Sequence, residues 1–240
     1  MLIKKITALL IAATLAAPFA ASAHEHGEAG VARAFIKEIQ AVEASYAQKH
    51  GTTFFQELSK GQHPRATVVT CSDSRVHTNM LDQSPEGDLF MVRDIGNQIA
   101  TAKGSVEYGI NHLGSSLLLI IGHSKCGAIA AASGDYSKLE PSIKKELDTI
   151  KIGKGVANID GVKTNVNNQV AEAMEEFAVE VKAGHLLVVG AVYDFADDMK
   201  LGAGKLNLIN VNGQTAVAKM QAELVRHDIE DETDPVKHQH

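Results

Sequence analysis

The sequence predicts an α/β fold, a mostly parallel central sheet flanked by helices. Two observations predict it. Short β-branched or apolar runs alternate with helix-compatible stretches along the chain. One run, Ser116 to Ile121, is continuously apolar and bounded by Gly114 and Gly122, the pattern of a strand buried on both faces of a parallel sheet.

The elements follow in order. Lys4 and Lys5, the apolar Ile6 to Ala17 and the small-x-small Ala21-Ser22-Ala23 read as a secretory signal peptide over 1–23, with cleavage leaving His24 first. The apolar run falls short of the roughly 20 residues a membrane span needs. Val31, Ala34, Phe35, Ile39, Val42 and Tyr46 recur at helical spacing and predict a helix from about Gly30 to His50. Gly51 stops it, and a second short helix covers Thr53 to Ser59. Ala66 to Thr70 is a strand that delivers Cys71 at its carboxyl end, and Leu89 to Val92 is a second strand. Ser105 to Leu113 reads as a helix closed by Gly114. Ser116 to Ile121 ends just before His123, and Leu186 to Val192 and Leu206 to Val211 are further strands. Val170 to Lys182 is helix-compatible, whereas Ile152 to Asn168, rich in Gly, Asn and Lys, reads as a long loop inside the domain. The catalytic-size domain runs over 24–227, and the acidic, His-containing 228–240 reads as a solvated tail.

Net charge is -6 with no basic block in the mature chain, which argues against nucleic acid as a partner. The signal peptide implies a periplasmic or secreted protein with no stable membrane association once it is removed. His24 and His26 at the new terminus, and His238 and His240 at the other end, are weak metal-binding signals on expected tails.

The 240 residues contain two cysteines, Cys71 and Cys126. In an exported protein the default is a disulfide. Context argues otherwise: a domain this long needs no staple, and each Cys sits among reactive residue types. In Cys71-Ser72-Asp73-Ser74-Arg75, alternate side chains share a face, so Asp73 can meet Arg75 and stay ionised. Taken alone, this pattern fits an ordinary surface ion pair beside a buried Cys better than a site. In Gly122-His123-Ser124-Lys125-Cys126-Gly127, His and Cys three positions apart can converge on one metal. Two thiolates and one imidazole make a three-ligand zinc site with the fourth position open, the catalytic arrangement.

C-x-D-S-R followed downstream by H-x-x-C-G after a hydrophobic strand resembles the β-class carbonic anhydrases. Gln62 and Pro64, Gly87-Asp88-Leu89-Phe90, Arg93 with Gly96-Asn97, Ser105-Val106-Glu107-Tyr108 and Tyr193-Asp194…Gly204-Lys205-Leu206 continue the resemblance from about Phe54 to Val211. It implies one zinc ion per chain on Cys71, His123 and Cys126, an active-site dyad of Asp73 and Arg75, and substrate contacts from Gln62 and the Gly127 backbone. It also implies a homodimer or a dimer-based tetramer. The implied reaction is reversible hydration of carbon dioxide to bicarbonate and a proton by zinc-bound hydroxide. Two thiolates lower the Lewis acidity of the ion, so an alkaline-favouring activity profile is expected. The chain has no Trp, so the tryptophan-containing bicarbonate pocket of some bacterial relatives cannot occur in the same form. His77 stands where relatives often carry proline and is expected to be a solvated loop histidine. Rival readings are hydrolysis of carbonyl sulfide or carbon disulfide on the same fold, a noncatalytic zinc-binding protein, and a disulfide-stapled binding protein.

Overall fold

The computed structural model describes residues 28–232 apart from Ala157. The signal peptide expected over 1–23 lies outside the described residues, as do His24, His26 and the end of the chain from 233. Two compact units part after Ser59.

The first unit contributes α1, Glu28–Leu58. Gly51 interrupts it at φ 74°, ψ 172°, a conformation only glycine adopts without strain, so the expected break between two helices falls where the sequence placed it. None of its residues is buried, and Val31, Phe35, Ile36, Ile39 and Val42 stand exposed. Across the kink, Tyr46 and His50 on one side pack ring against ring with Phe54 and Phe55 on the other, with Tyr46–His50 centroids 4.2 Å apart.

The second unit is built on five strands: β1 Ala66–Cys71, β2 Leu89–Asp94, β3 Leu117–His123, β4 Leu187–Asp194 and β5 Lys205–Val211. Their order is β2-β1-β3-β4-β5, with every pair parallel except β4–β5. The chain therefore winds outward from β1 in both directions. The crevice beyond the carboxyl ends of β1 and β3 is the point where the winding reverses, and ligands of open α/β sheets gather there.

Helices α2 (Ile99–Glu107), α3 (Gly127–Ser133), α4 (Pro141–Leu147), α5 (Asn158–Glu176), α6 (Ala178–Lys182) and α7 (Val217–Glu232) complete the unit. Val170, Ala173, Phe177 and Val181 pack on Val69, Leu118, Ile120 and Val188, which covers one face of the sheet with α5 and α6. Met220 and Leu224 of α7 cover Val189 and Val211. Toward β1 and β2, Met91, Leu117, Leu119 and Leu206 remain half-buried around Val68 and Ile121. β3 is therefore not buried equally on both faces along its whole length: Leu117 and Leu119 alternate with the fully buried Leu118 and Ile120.

Two expectations are corrected. The stretch Ile152 to Asn168 is not one long loop, because α5 begins at Asn158. Val162, Val166, Val170 and Ala173 recur at helical spacing and are all buried, a period that the Gly- and Asn-rich composition obscured. The helix read at Ser105 to Leu113 starts earlier, at Ile99, and its last turn, Tyr108–His112, widens to a π-helix before Gly114. The acidic stretch from Asp228 is helical as far as Glu232, and the rest of the expected tail lies outside the described residues.

Candidate metal centre and its carboxylate

β1 ends at Cys71 and β3 ends at His123. The two strands are neighbours, with Thr70 opposite Ile121, so both side chains emerge at the same edge of the crevice. After His123 the chain turns through Ser124 and Lys125, the latter at φ 55°, and presents Cys126 as the residue capping α3. One sulfur of Cys71, one sulfur of Cys126 and one ring nitrogen of His123 lie within 4.8 Å of one another, and all three residues are buried. This is the only such group of three among the described residues.

The donor set fits a metal ion. His123 Nδ1 lies 2.9 Å from the Ser124 carbonyl oxygen. A carbonyl only accepts, so Nδ1 carries the proton and Nε2 keeps a free lone pair. That Nε2 is buried and has no hydrogen-bond partner, which is costly unless a cation takes it. Both cysteines are free, so the chain carries no Cys71–Cys126 disulfide. Hydrogen bonding from the Cys126 thiol draws the Cys71 thiol well below its ordinary range, whereas bonding to the Cys71 sulfur and burial push Cys126 up. Two adjoining sulfurs cannot both ionise in a buried pocket, and a divalent cation is what removes that conflict.

Asp73 stands beside the trio, its Oδ2 3.8 Å from His123 Nε2. Arg75 grips it as a fork: Nε donates to Oδ1 at 2.8 Å, Nη2 to Oδ2 at 2.7 Å, and the Arg75 backbone N–H to Oδ1 at 3.0 Å. The arginine holds the carboxyl far below the usual carboxylate range. Arg75 Nη2 also donates to the Lys125 carbonyl at 3.1 Å, which ties the turn bearing Cys126 to the segment after β1.

Of the other residues the sequence singled out, Gly127 opens α3 directly after Cys126, where a Cβ would meet nothing within 4 Å. Gln62 is exposed in the segment before β1. His77 is exposed and precedes a 3-10 turn, Thr78–Met80.

The structure adds residues the sequence reading left without a role. Arg93 donates to the backbone carbonyls of Cys71 (3.1 Å) and Asp73 (2.8 Å), fixing the segment between ligand and carboxylate. Phe195 stacks on His123, centroids 5.9 Å apart at 25°, and lies 4.7 Å beneath the Arg75 guanidinium. Gln98, Asn165 and Gln169 form a buried amide network behind the site. Gln98 Nε2 donates to the Gly96 carbonyl and to Asn165, and Gln169 Nε2 donates to Gln98. No local motif announces Arg93, Phe195 or this network, because the partners that give them their places are far off along the chain: Arg93 and Asp73 are 20 positions apart, Gln98 and Asn165 are 67 apart, and Phe195 reaches back to His123 and Arg75.

Comparison with known proteins agrees with the geometry. A carbonic anhydrase family profile matches residues 66–201, which contain the whole trio, Asp73 and Arg75. A carbonic anhydrase of Mycolicibacterium smegmatis is 33% identical over 154 residues, 58% of this chain and 75% of that protein. One from Synechococcus elongatus is 39% identical over 104 residues, 40% of this chain. That match spans only 38% of the cyanobacterial protein's length. Among solved structures, a tetrameric β-carbonic anhydrase of Sordaria macrospora superposes with a TM-score of 0.60 at 24% identity, over 75% of this chain and 97% of the other, which speaks to fold alone. A matched family profile over most of the sheet and a shared fold place this chain in the carbonic anhydrase family, with the architecture of the β class.

Proposed function

We propose that this protein catalyses the reversible hydration of carbon dioxide to bicarbonate and a proton, with one zinc ion per chain held by Cys71, His123 and Cys126. The observation that carries the reading is the convergence of three buried donors, one of them an orphaned imidazole nitrogen, beside an arginine-clamped carboxylate. When bound, zinc supplies the Lewis acidity that makes water nucleophilic near neutral pH. The chain's residues do the rest. Asp73, kept ionised by Arg75, accepts an O–H from the attacking water and turns its lone pair toward the carbon of carbon dioxide. Arg75 in turn keeps the carboxylate from swinging onto the metal. The Gly127 N–H and Gln62 are the proposed contacts to substrate oxygens, Gln62 from a neighbouring subunit.

Membership of the family supports the activity, and the tetrameric relative supports assembly. A homodimer is the proposed unit. The exposed Val31, Phe35, Ile36, Ile39 and Val42 of α1 support it, since apolar stripes of this kind mark interaction surfaces. Export is proposed on the sequence of residues 1–23; among the described residues no helix is long and apolar enough to cross a membrane.

The test is stopped-flow carbon dioxide hydration across pH with metal content measured on the same sample. Fast hydration with about one zinc per chain, both lost in Cys71→Ser, is the expected result. Zinc without hydration at neutral and alkaline pH would overturn the reading and direct attention to sulfur-compound hydrolysis or a noncatalytic zinc protein.

A further inference from the structure

Phe195 supplies no ligand, yet its ring touches both halves of the site. It stacks on the ring of His123 and lies under the guanidinium of Arg75. Tyr193 meets it edge-on at 5.7 Å. The loop that carries it is fixed: the Asp194 carboxylate accepts the N–H groups of Asp198 (3.0 Å) and Met199 (2.7 Å), and the Ala196 N–H donates to Ser124 Oγ at 3.2 Å. Ser124 is also the residue whose carbonyl orients His123.

Arg75 is 49% exposed, so burial does not hold its fork in place. Its restraints are the Asp73 carboxylate, the Lys125 carbonyl and the face of Phe195. Asp73 Oδ2 is already 3.8 Å from His123 Nε2. A carboxylate released by Arg75 at that distance has the metal position within reach of a side-chain rotation. Any residue that steadies the guanidinium therefore biases Asp73 toward the arginine and away from the metal.

We propose that Phe195 is a positioning residue that keeps the fourth coordination position open by holding Arg75, through a cation–π contact, in the geometry that retains Asp73. This deepens the zinc reading above and rests on it. The leverage is modest, because a cation–π contact at a part-exposed site corresponds to about a two- to fivefold change in a local equilibrium.

The experiment uses the full chain loaded with cobalt(II) in place of zinc, with azide as the probe of the open position and visible absorption as the readout. Phe195→Leu keeps apolar volume and removes the π face; Phe195→Tyr keeps the face. Phe195→Leu should weaken azide about two- to fivefold with cobalt content unchanged, and Phe195→Tyr should match the parent. Arg75→Gln, which leaves the ring in place, should weaken azide in the same sense, and adding Phe195→Leu to it should change nothing further. Equal azide affinity in the parent and Phe195→Leu, or additive losses in the double variant, would overturn the proposal, since packing alone would then explain the ring. A parent chain that takes up no cobalt would overturn the metal reading itself and this proposal with it.

Discussion

Arg75 and Asp73 form the pair on which the proposed chemistry turns, and both of their proposed roles can be separated by measurement. Arg75→Ala should lower turnover on the order of ten- to a hundredfold while zinc content stays near parent, because the arginine positions a neighbour of the metal rather than the metal. Zinc loss in that variant would make it a structural residue instead. Asp73 is held far below the ordinary carboxylate range by Arg75, so its stabilising contribution is fully present above about pH 4 and fades only in strong acid. No activity break belonging to Asp73 should therefore appear between about pH 4 and 8. Asp94, at the end of β2, behaves in the opposite sense. Burial raises it to about 6, although it accepts hydrogen bonds from Thr101 and the Gln98 N–H. A raised carboxyl binds its proton more tightly folded than unfolded, so this stability is present below about pH 4 and lost as pH rises toward 6. Asp94→Asn should thus gain stability over the parent by about 2 kcal/mol at pH 7 and little at pH 4, in paired denaturation curves at the two pH values. A gain independent of pH would show that Asp94 does not ionise in this window.

At the scale of elements, α5 is the helix that brings the sheet and the site together. It lies close on β3 and β4 because glycines meet it there. A Cβ on Gly190 would stand 2.8 Å from methyl groups of Val166 and Val170, and one on Gly122 would stand 2.7 Å from Val166 and 2.8 Å from Val162. Valine keeps one strongly preferred χ1 rotamer in a helix, so these methyl groups yield only at a cost. Gly190→Ala should cost about 1–3 kcal/mol by urea denaturation and leave zinc content unchanged. Gly122→Ala should carry a similar cost and also weaken zinc retention, since it precedes His123. Parent-like stability in both variants would mean that α5 docks more loosely than its packing implies. This is also where the sequence reading failed. The strands were legible because β-branched and apolar runs announce themselves locally, and each was placed within two or three residues. The amino-terminal half of α5 was not, because its buried face includes Gly161, Asn165 and Gln169, residues whose burial only the neighbouring α3 and the amide network explain.

For the whole molecule, metal and assembly are the two expected sources of stability beyond the core. Chelation should lower the thermal midpoint, because a ligand bound only by the native state stabilises it by mass action. Unchanged melting after complete zinc removal would indicate that the donors are held by the fold alone. The exposed α1 stripe makes a separate prediction: Phe35→Asp with Ile39→Asp should shift sedimentation toward the monomer at low micromolar concentration. An unshifted variant would place the subunit interface elsewhere.

The parts of the proposed site were already legible in the order of residues: a strand ending in Cys71, a buried strand leading to His123 and Cys126, and Asp73 two positions before the Arg75 that clamps it. These are short-range patterns, read from period and spacing. That β1 and β3 lie side by side, so that Cys71 and His123 share one crevice, emerges from the fold. The fold also brought Arg93, Phe195 and the Gln98–Asn165–Gln169 network behind them. Those contacts depend on which strands pair and which helix covers them, and strand pairing is a long-range choice that no local run of residues encodes.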